Sequence, residues 1–260
     1  MSDNKISTGS YDLNKWLYGG YEKGIITMIA GSPGSGKTNM AVLVACSQAK
    51  KGNKVIFMDT ERGFSSDRVK QIVGENYQEI LKNILLLEPS DFNEQKKLFA
   101  TLNTQLKKEQ ISLIVVDSMA MLYRLELGDA KDKEGERFRD GRDTEKERDR
   151  EVDENVREIN REVASQMKLL AEISKKQDIP IIITNQVYSG FQSEEDWKKG
   201  LERETNIVGG DLFQYWSKCI IELKGNGTKR KAVLLKHRSL PPKEMGFEIR
   251  NEGIFRRGWI

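Results

Sequence analysis

Gly31-Ser32-Pro33-Gly34-Ser35-Gly36-Lys37-Thr38 constrains this chain more than any other stretch, because it locks a strand, a tight loop and a helix into one geometry. It follows the apolar run Ile25-Ile26-Thr27-Met28-Ile29-Ala30 and leads into the helical pattern Asn39-Met40-Ala41-Val42-Leu43-Val44-Ala45. Glycines let successive backbone N–H groups turn inward, and the helix N-terminus adds the positive end of its dipole. That cradle suits phosphate oxygens. Lys37 can reach the outer phosphates of a nucleoside triphosphate, and the Thr38 hydroxyl can ligate Mg2+. Residues 31–39 are therefore expected to bind ATP or GTP. An ordinary glycine-rich turn would need neither Lys-Thr at its end nor a strand before it.

The 260 residues suffice for one well-packed α/β domain or at most two small ones, and a single domain over 1–260 is expected. Strands are predicted at Ile25–Ala30, Val55–Asp59, Ile84–Leu87, Leu113–Asp117 and Pro180–Thr184. Helices fit between them at Thr38–Lys50, Ser66–Gly74, Asp91–Lys108 and about Asp153–Lys176. In the last of these, Val156, Ile159, Val163, Met167, Leu170 and Ile173 recur at helical spacing and form one apolar stripe. Strands alternating with helices indicate a mostly parallel sheet covered on both faces. Cys219–Leu223, Ala232–Lys236 and Phe247–Ile249, with turns such as Gly225-Asn226-Gly227, predict an antiparallel extension of that sheet. From about 128 to 150 charges of both signs dominate, with Phe138 almost the only apolar residue. Such a segment cannot offset its ordering entropy by burial, so it is expected to be a mobile insertion, able to become helical towards its end.

A net charge of +3 permits contact with nucleic acid without requiring it. Cys46 and Cys219 show no metal or redox spacing and sit in apolar runs, as small core residues of a reducing compartment do. The polar N-terminus and the lack of any membrane-length apolar run predict a soluble, cytoplasmic protein with no membrane partner.

A phosphate loop needs a second metal ligand. Leu113-Ile114-Val115-Val116-Asp117 ends a buried strand in a carboxylate that could hold Mg2+, or could merely cap the next element. Asp59-Thr60-Glu61 ends another strand, with Glu61 the preferred water-activating base, Asp59 a weaker one, and a surface loop acid the plain alternative. Gln186, after Pro180-Ile181-Ile182-Ile183-Thr184-Asn185, could bond a γ-phosphate or water with one end of its amide and signal to the following loop with the other.

Two regions could meet nucleic acid. Tyr188, Phe191 and Trp197 with Lys198, Lys199 and Arg203 suit stacking on unpaired bases, although neighbouring acids dilute the charge. The same aromatics could simply pack the loop onto the body. Lys229, Arg230 and Lys231 with Lys236 and Arg238 form a more basic patch, for DNA phosphates, for a neighbouring protomer's γ-phosphate, or as a solvated edge strand. Lys236 and Arg238 are two apart and are expected on one side of a strand.

These pieces in this order resemble the RecA-like recombinase ATPases. Ser7-Thr8-Gly9 with Leu13, Leu17-Tyr18-Gly19-Gly20 and Gly24-Ile25-Ile26-Thr27 resemble the opening segment of the RecA and KaiC group. Asp59-Thr60-Glu61 with Phe64 and Arg68 resembles an archaeal recombinase segment whose arginine stacks on adenine. Thr184-Asn185-Gln186-Val187 and Gly209-Gly210 resemble the two ends of the second DNA-binding loop.

Within that group the chain is similar to the RadB family, short archaeal paralogues of RadA. It begins almost at the ATPase core, Tyr123-Arg124-Leu125-Glu126-Leu127 follows the Asp117 strand, and Lys236-His237-Arg238-Ser239-Leu240-Pro241 resembles the family's basic C-terminal motif. The likeness spans about residues 6–260 except for the charged insertion, which is longer than the family's usual first loop.

The resemblance implies a RecA-like P-loop ATPase core that binds ATP with Mg2+ and hydrolyses it weakly. It implies binding to DNA and assistance to RadA or other recombination proteins in homologous recombination and repair, without strand exchange; the aromatic and basic residues after Val187 make single strands the preferred form. A homo-oligomer through the ATP-site face is also implied. A KaiC-like signalling ATPase acting on protein partners is the alternative.

Overall fold

The computed structural model describes residues 4–128, 145–189, 205–225, 227 and 230–258, with 145–152 described for their backbone only. The chain opens with β1 (Lys5–Ile6), α1 (Tyr11–Trp16) and β2 (Tyr21–Glu22), where β1 and β2 pair antiparallel. There follow β3 (Ile26–Gly31), α2 (Lys37–Ala49), β4 (Lys54–Asp59), α3 (Ser66–Val73), α4 (Tyr77–Leu81), β5 (Ile84–Leu87), α5 (Phe92–Lys108) and β6 (Ile111–Asp117). After the helix α6 (121–128) come α7 (Glu145–Gln177), β7 (Ile181–Ser189), β8 (Thr205–Ile207), α8 (Asp211–Trp216) and β9 (Ser217–Lys224). β10 (Arg230–Lys236), β11 (Lys243–Arg250) and β12 (Gly253–Arg256) close the described chain.

The sheet runs β5-β4-β6-β7-β3-β9 in parallel and continues antiparallel through β10, β11 and β12, with β8 paired to β7. Its central strands read as nearly continuous apolar runs, broken by Thr27 in β3 and Ser112 in β6, because both faces are covered. On one face Ile29, Val55, Phe57, Val115 and Ile182 pack with Met40, Val44 and other residues of α2. On the other, Met28, Ile56, Met58, Ile114, Val116 and Ile183 meet Phe99 and Leu102 of α5 and Val163, Met167 and Leu170 of α7. Side-chain alternation along each strand sorts these residues between the two layers. The N-terminus of α5 is closed reciprocally: Asp91 accepts from the Glu94 amide (2.8 Å) while the Glu94 carboxylate accepts from the Ser90 amide (2.8 Å).

β9 departs from expectation. It lies parallel beside β3 (Thr27 opposite Cys219), because α8 carries the chain back across the sheet before β9 begins. The antiparallel extension therefore starts one strand later, at β10. β12 escaped sequence reading since Gly253–Arg256 holds only two apolar residues. α7 begins at Glu145, inside the charged segment, while 129–144 lie outside the described residues. Cys46 and Cys219 are buried free thiols, each pushed up to about 12 chiefly by burial. No described helix is long and apolar enough to cross a membrane.

Register decides what meets at the carboxyl edge of the sheet. Gly31 lies opposite Gln186, and Asp59 opposite Asp117. Open parallel sheets gather ligands at this edge.

Candidate active site

α2 starts at Lys37 with Gly36 as its N-cap at φ 110 and no side-chain cap, so its first amides face the loop unclaimed by a capping group. Gly34 has φ 75 and open space where a Cβ would stand, while a Cβ on Gly36 would come within 2.8 Å of Ile249 Cδ1. Thus one glycine leaves the mouth of the loop clear and the other lets β11 pack against it. Lys37 Nζ donates to the carbonyls of Gly31 (3.0 Å) and Ser32 (3.1 Å), which holds the ammonium over the loop. Burial holds its pKa below the usual lysine range, opposed by the charges of Glu61 and Asp117.

Asp117 is buried at the end of β6, with Oδ1 accepting from the Thr184 hydroxyl. Burial pushes its pKa up, while the hydroxyls of Thr184 and Thr38 favour the charged form. Oδ2 nevertheless has no hydrogen-bond partner of good geometry among the described residues. The Asp117–Ser118 peptide is cis, and Thr60 brackets it: its hydroxyl donates to the Ser118 carbonyl (2.8 Å) and accepts from the Ser118 amide (2.9 Å).

Asp59 organises the neighbouring loop. Its Oδ1 accepts from the amides of Glu61 (3.2 Å) and Gly63 (3.1 Å), and Oδ2 from Phe64 (2.7 Å). Both oxygens are therefore engaged in shaping the turn, which leaves Glu61 exposed at its tip. Glu61 Oε1 accepts from Gln186 Nε2 (3.0 Å), and Gln186 Oε1 accepts from Arg124 of α6 (3.1 Å). Gln186 also lies at the join of β7 and β8, its carbonyl accepting from the Val208 amide (3.0 Å).

Other expected residues lie elsewhere or in different company. Arg68 is anchored by the carbonyls of Arg250 (2.9 Å) and Asn251 (3.0 Å) at the β11–β12 turn, and burial lowers its pKa. Arg230 reaches the phosphate loop of its own chain, donating to the Gly34 carbonyl (3.3 Å). Lys231 pairs with Glu244 of the neighbouring β11 (3.4 Å). Lys236 and Arg238 do not share a strand face: β10 ends at Lys236 after an irregularity in its register with β9. Lys236 Nζ donates to the Gln214 carbonyl (2.8 Å), and Arg238 Nε stands 2.5 Å from the buried carboxylate of Glu22. Tyr188 is exposed on β7, opposite Asn206. Trp197, Lys198, Lys199 and Lys229, with Phe191, Arg203 and Asn226, lie outside the described residues. Sequence reasoning assigned no role to Arg124 or Glu22. Only the position of Arg124 one turn into α6, seven residues past Asp117, could have marked it.

The arrangement fits a magnesium nucleotide. It offers an uncapped helix start, a cation at Lys37 held over the loop, a hydroxyl at Thr38 and a buried carboxylate with an unused oxygen. Among the described residues no cluster of three or more His, Cys, Asp or Glu could hold a metal by itself. Mg2+ commonly takes only one or two protein ligands and leans on phosphates and water for the rest.

The raised pKa of Asp117 has a measurable cost. A carboxyl whose pKa is higher in the fold stabilises the protein fully below the usual carboxylate range and loses that contribution as pH rises through the folded value. At neutral pH without nucleotide the ionised side chain is then destabilising. Asp117→Asn is expected to raise the melting temperature of the nucleotide-free protein at pH 8, with a smaller gain at pH 5. Calorimetry at the two pH values checks this, and a lower melting temperature for the variant at pH 8 would refute it.

The Rad51 family model matches residues 3–136 and 152–257. A protein named "DNA repair and recombination protein RadB" from Methanobrevibacter smithii is 36% identical over 257 residues, covering 97% of this chain and 96% of that protein. The protein of the same name from Methanosphaera stadtmanae is 36% identical, covering 98% and 97%. Its namesake from Methanocaldococcus jannaschii is 36% identical, covering 93% and 98%.

Proposed function

Given that this chain belongs to the Rad51 family, we propose that it is an ATP-binding, weakly hydrolysing accessory factor of homologous recombination and DNA repair that binds single-stranded DNA. We take residues 1–260 as one RecA-like domain working alongside a main recombinase such as RadA. The observation that carries the reading is the Glu61–Gln186–Arg124 relay, since Gln186 lies at the nucleotide edge and its carbonyl also accepts from the amide of Val208, just after β8. A change at the outer phosphate could thus reach β8 without a long path.

Magnesium, held by Thr38 and Asp117, would supply charge neutralisation at the outer phosphates. The residues do the rest. Loop amides and Lys37 bind and orient the phosphates, and Arg230 steadies the loop through the Gly34 carbonyl. Glu61, oriented by Gln186, accepts a proton from water. Arg68 is the adenine-side residue, its guanidinium plane set by the β11–β12 turn. Tyr188 offers a stacking face beside this edge. Lys236 and Arg238 lie towards the opposite end of β10 from Arg230, so any contact they make with a γ-phosphate is to another protomer's.

The test is binding of a labelled oligothymidylate over a salt series, with and without ATP. The expected affinity falls linearly on a log–log plot against salt and changes several-fold with ATP. No binding at low salt would refute the DNA role.

A further inference from the structure

We propose that the amino edge of the sheet, opposite the phosphate loop, is a second nucleic-acid surface that grips the phosphate backbone of duplex DNA. The amino ends of β4 and β6, the turn before β3 and the carboxyl ends of α2, α5 and α7 surround an open cleft of about 1150 Å3. Among the described residues its charged lining is Lys5, Lys23, Lys51, Lys54, Lys107 and Lys108 against Glu109 and Asp178. The chain as a whole carries +3, so this excess is concentrated on one face.

Helix ends account for part of the pattern. Lysines in a last turn complement the helix dipole, which covers Lys107 and Lys108 of α5. They do not account for Lys23 between β2 and β3, or for Lys54 at the first position of β4. Lys5 and Lys54 are already committed, donating to the carbonyls of Leu17 (2.9 Å) and Lys82 (2.9 Å). Lys23, Lys51, Lys107 and Lys108 remain available to an external anion, arriving from three separate segments around one opening.

The chemistry of the lining selects the ligand. Small-molecule pockets are mostly apolar and span roughly 300–1,000 Å3. This cleft is larger, open and mostly polar; of its apolar residues Ile6, Ile111 and Ile179 are buried and Leu106 is half-buried. An acidic protein partner would need an exposed apolar or aromatic anchor at its centre. The described lining holds no aromatic residue, and Leu106, its one aliphatic residue that is not fully buried, packs against the core. Unpaired bases need aromatic faces for stacking, and those are missing from the lining too. Lysines as point charges suit backbone phosphates whose bases remain paired. The surface lies across the sheet from the nucleotide edge, so it goes beyond the function proposed above.

The experiment uses the full chain with Lys23, Lys51, Lys107 and Lys108 all changed to Gln, and a matching set changed to Arg. Anisotropy of a labelled 24-base-pair duplex, about 50–200 mM salt, reads affinity and salt slope. The Gln set is expected to bind duplex at least tenfold more weakly, with a salt slope shallower by about 3, while the Arg set behaves as wild type. Unchanged duplex affinity and slope in the Gln set would overturn the proposal. So would a polyglutamate peptide that outcompetes duplex on the wild type and loses binding in the Gln set, which would assign the cleft to an acidic protein. ATP binding and oligothymidylate binding, measured on the same samples, report on the nucleotide-edge reading separately and are expected to be unaltered.

Discussion

Lys37→Ala is expected to weaken ATP binding at least about 100-fold while leaving the fold intact. Hydrogen bonds to a charged group contribute about 1.5–3 kcal/mol each, and an ammonium shared between two phosphates makes two of them. About 3 kcal/mol already corresponds to roughly 100-fold. The side chain's present contacts are with the carbonyls of Gly31 and Ser32, at the open mouth of the loop. Burial already disfavours its charged form, so truncation removes an unfavourable burial along with two hydrogen bonds. Titration with a fluorescent ATP analogue, together with the ATP-induced shift in melting temperature, checks both halves. A variant that keeps the wild-type ATP-induced shift would show that the loop does not hold the triphosphate through Lys37.

Glu61→Gln should lower ATP turnover about 100-fold with ATP affinity unchanged, since a positioned general base contributes roughly 10²–10⁴ to rate. The substitution is nearly isosteric, and its amide oxygen can still accept from Gln186 Nε2. What disappears is the ability to take a proton. Asp59 cannot take over, because both its oxygens are bound to backbone amides of the same turn. Single-turnover measurement suits the weak hydrolysis proposed. Equal turnover in variant and wild type would leave Glu61 as a structural acid and make the protein a nucleotide switch.

Much of this was legible in the sequence because it rests on local rules. The phosphate loop is contiguous, the strands before it and before Asp117 are apolar apart from Thr27 and Ser112, and the α7 stripe repeats every three or four residues. The parallel core and the gathering of Lys37, Asp117, Glu61 and Gln186 at one edge follow from those patterns and parallel topology. Less was legible at the C-terminal end. β9 looks like the other short strands, but its direction depends on where α8 leaves the chain. Period-2 reasoning also failed for Lys236 and Arg238, since it assumes the strand continues past Lys236.

The sequence by itself determined the phosphate loop, the acids and amide that face it, and the family. Those signals survive in one dimension because each is written in adjacent residues with a fixed period or spacing. Only the tertiary structure decided what the arginines do. Arg230 meets Gly34 across 196 positions, Arg68 meets Arg250 across 182, and Arg238 meets the buried Glu22. It likewise drew lysines from four segments into one basic cleft. A long cationic side chain can reach many acceptors, and which one it finds is set by sheet order and register, quantities that no local spacing encodes.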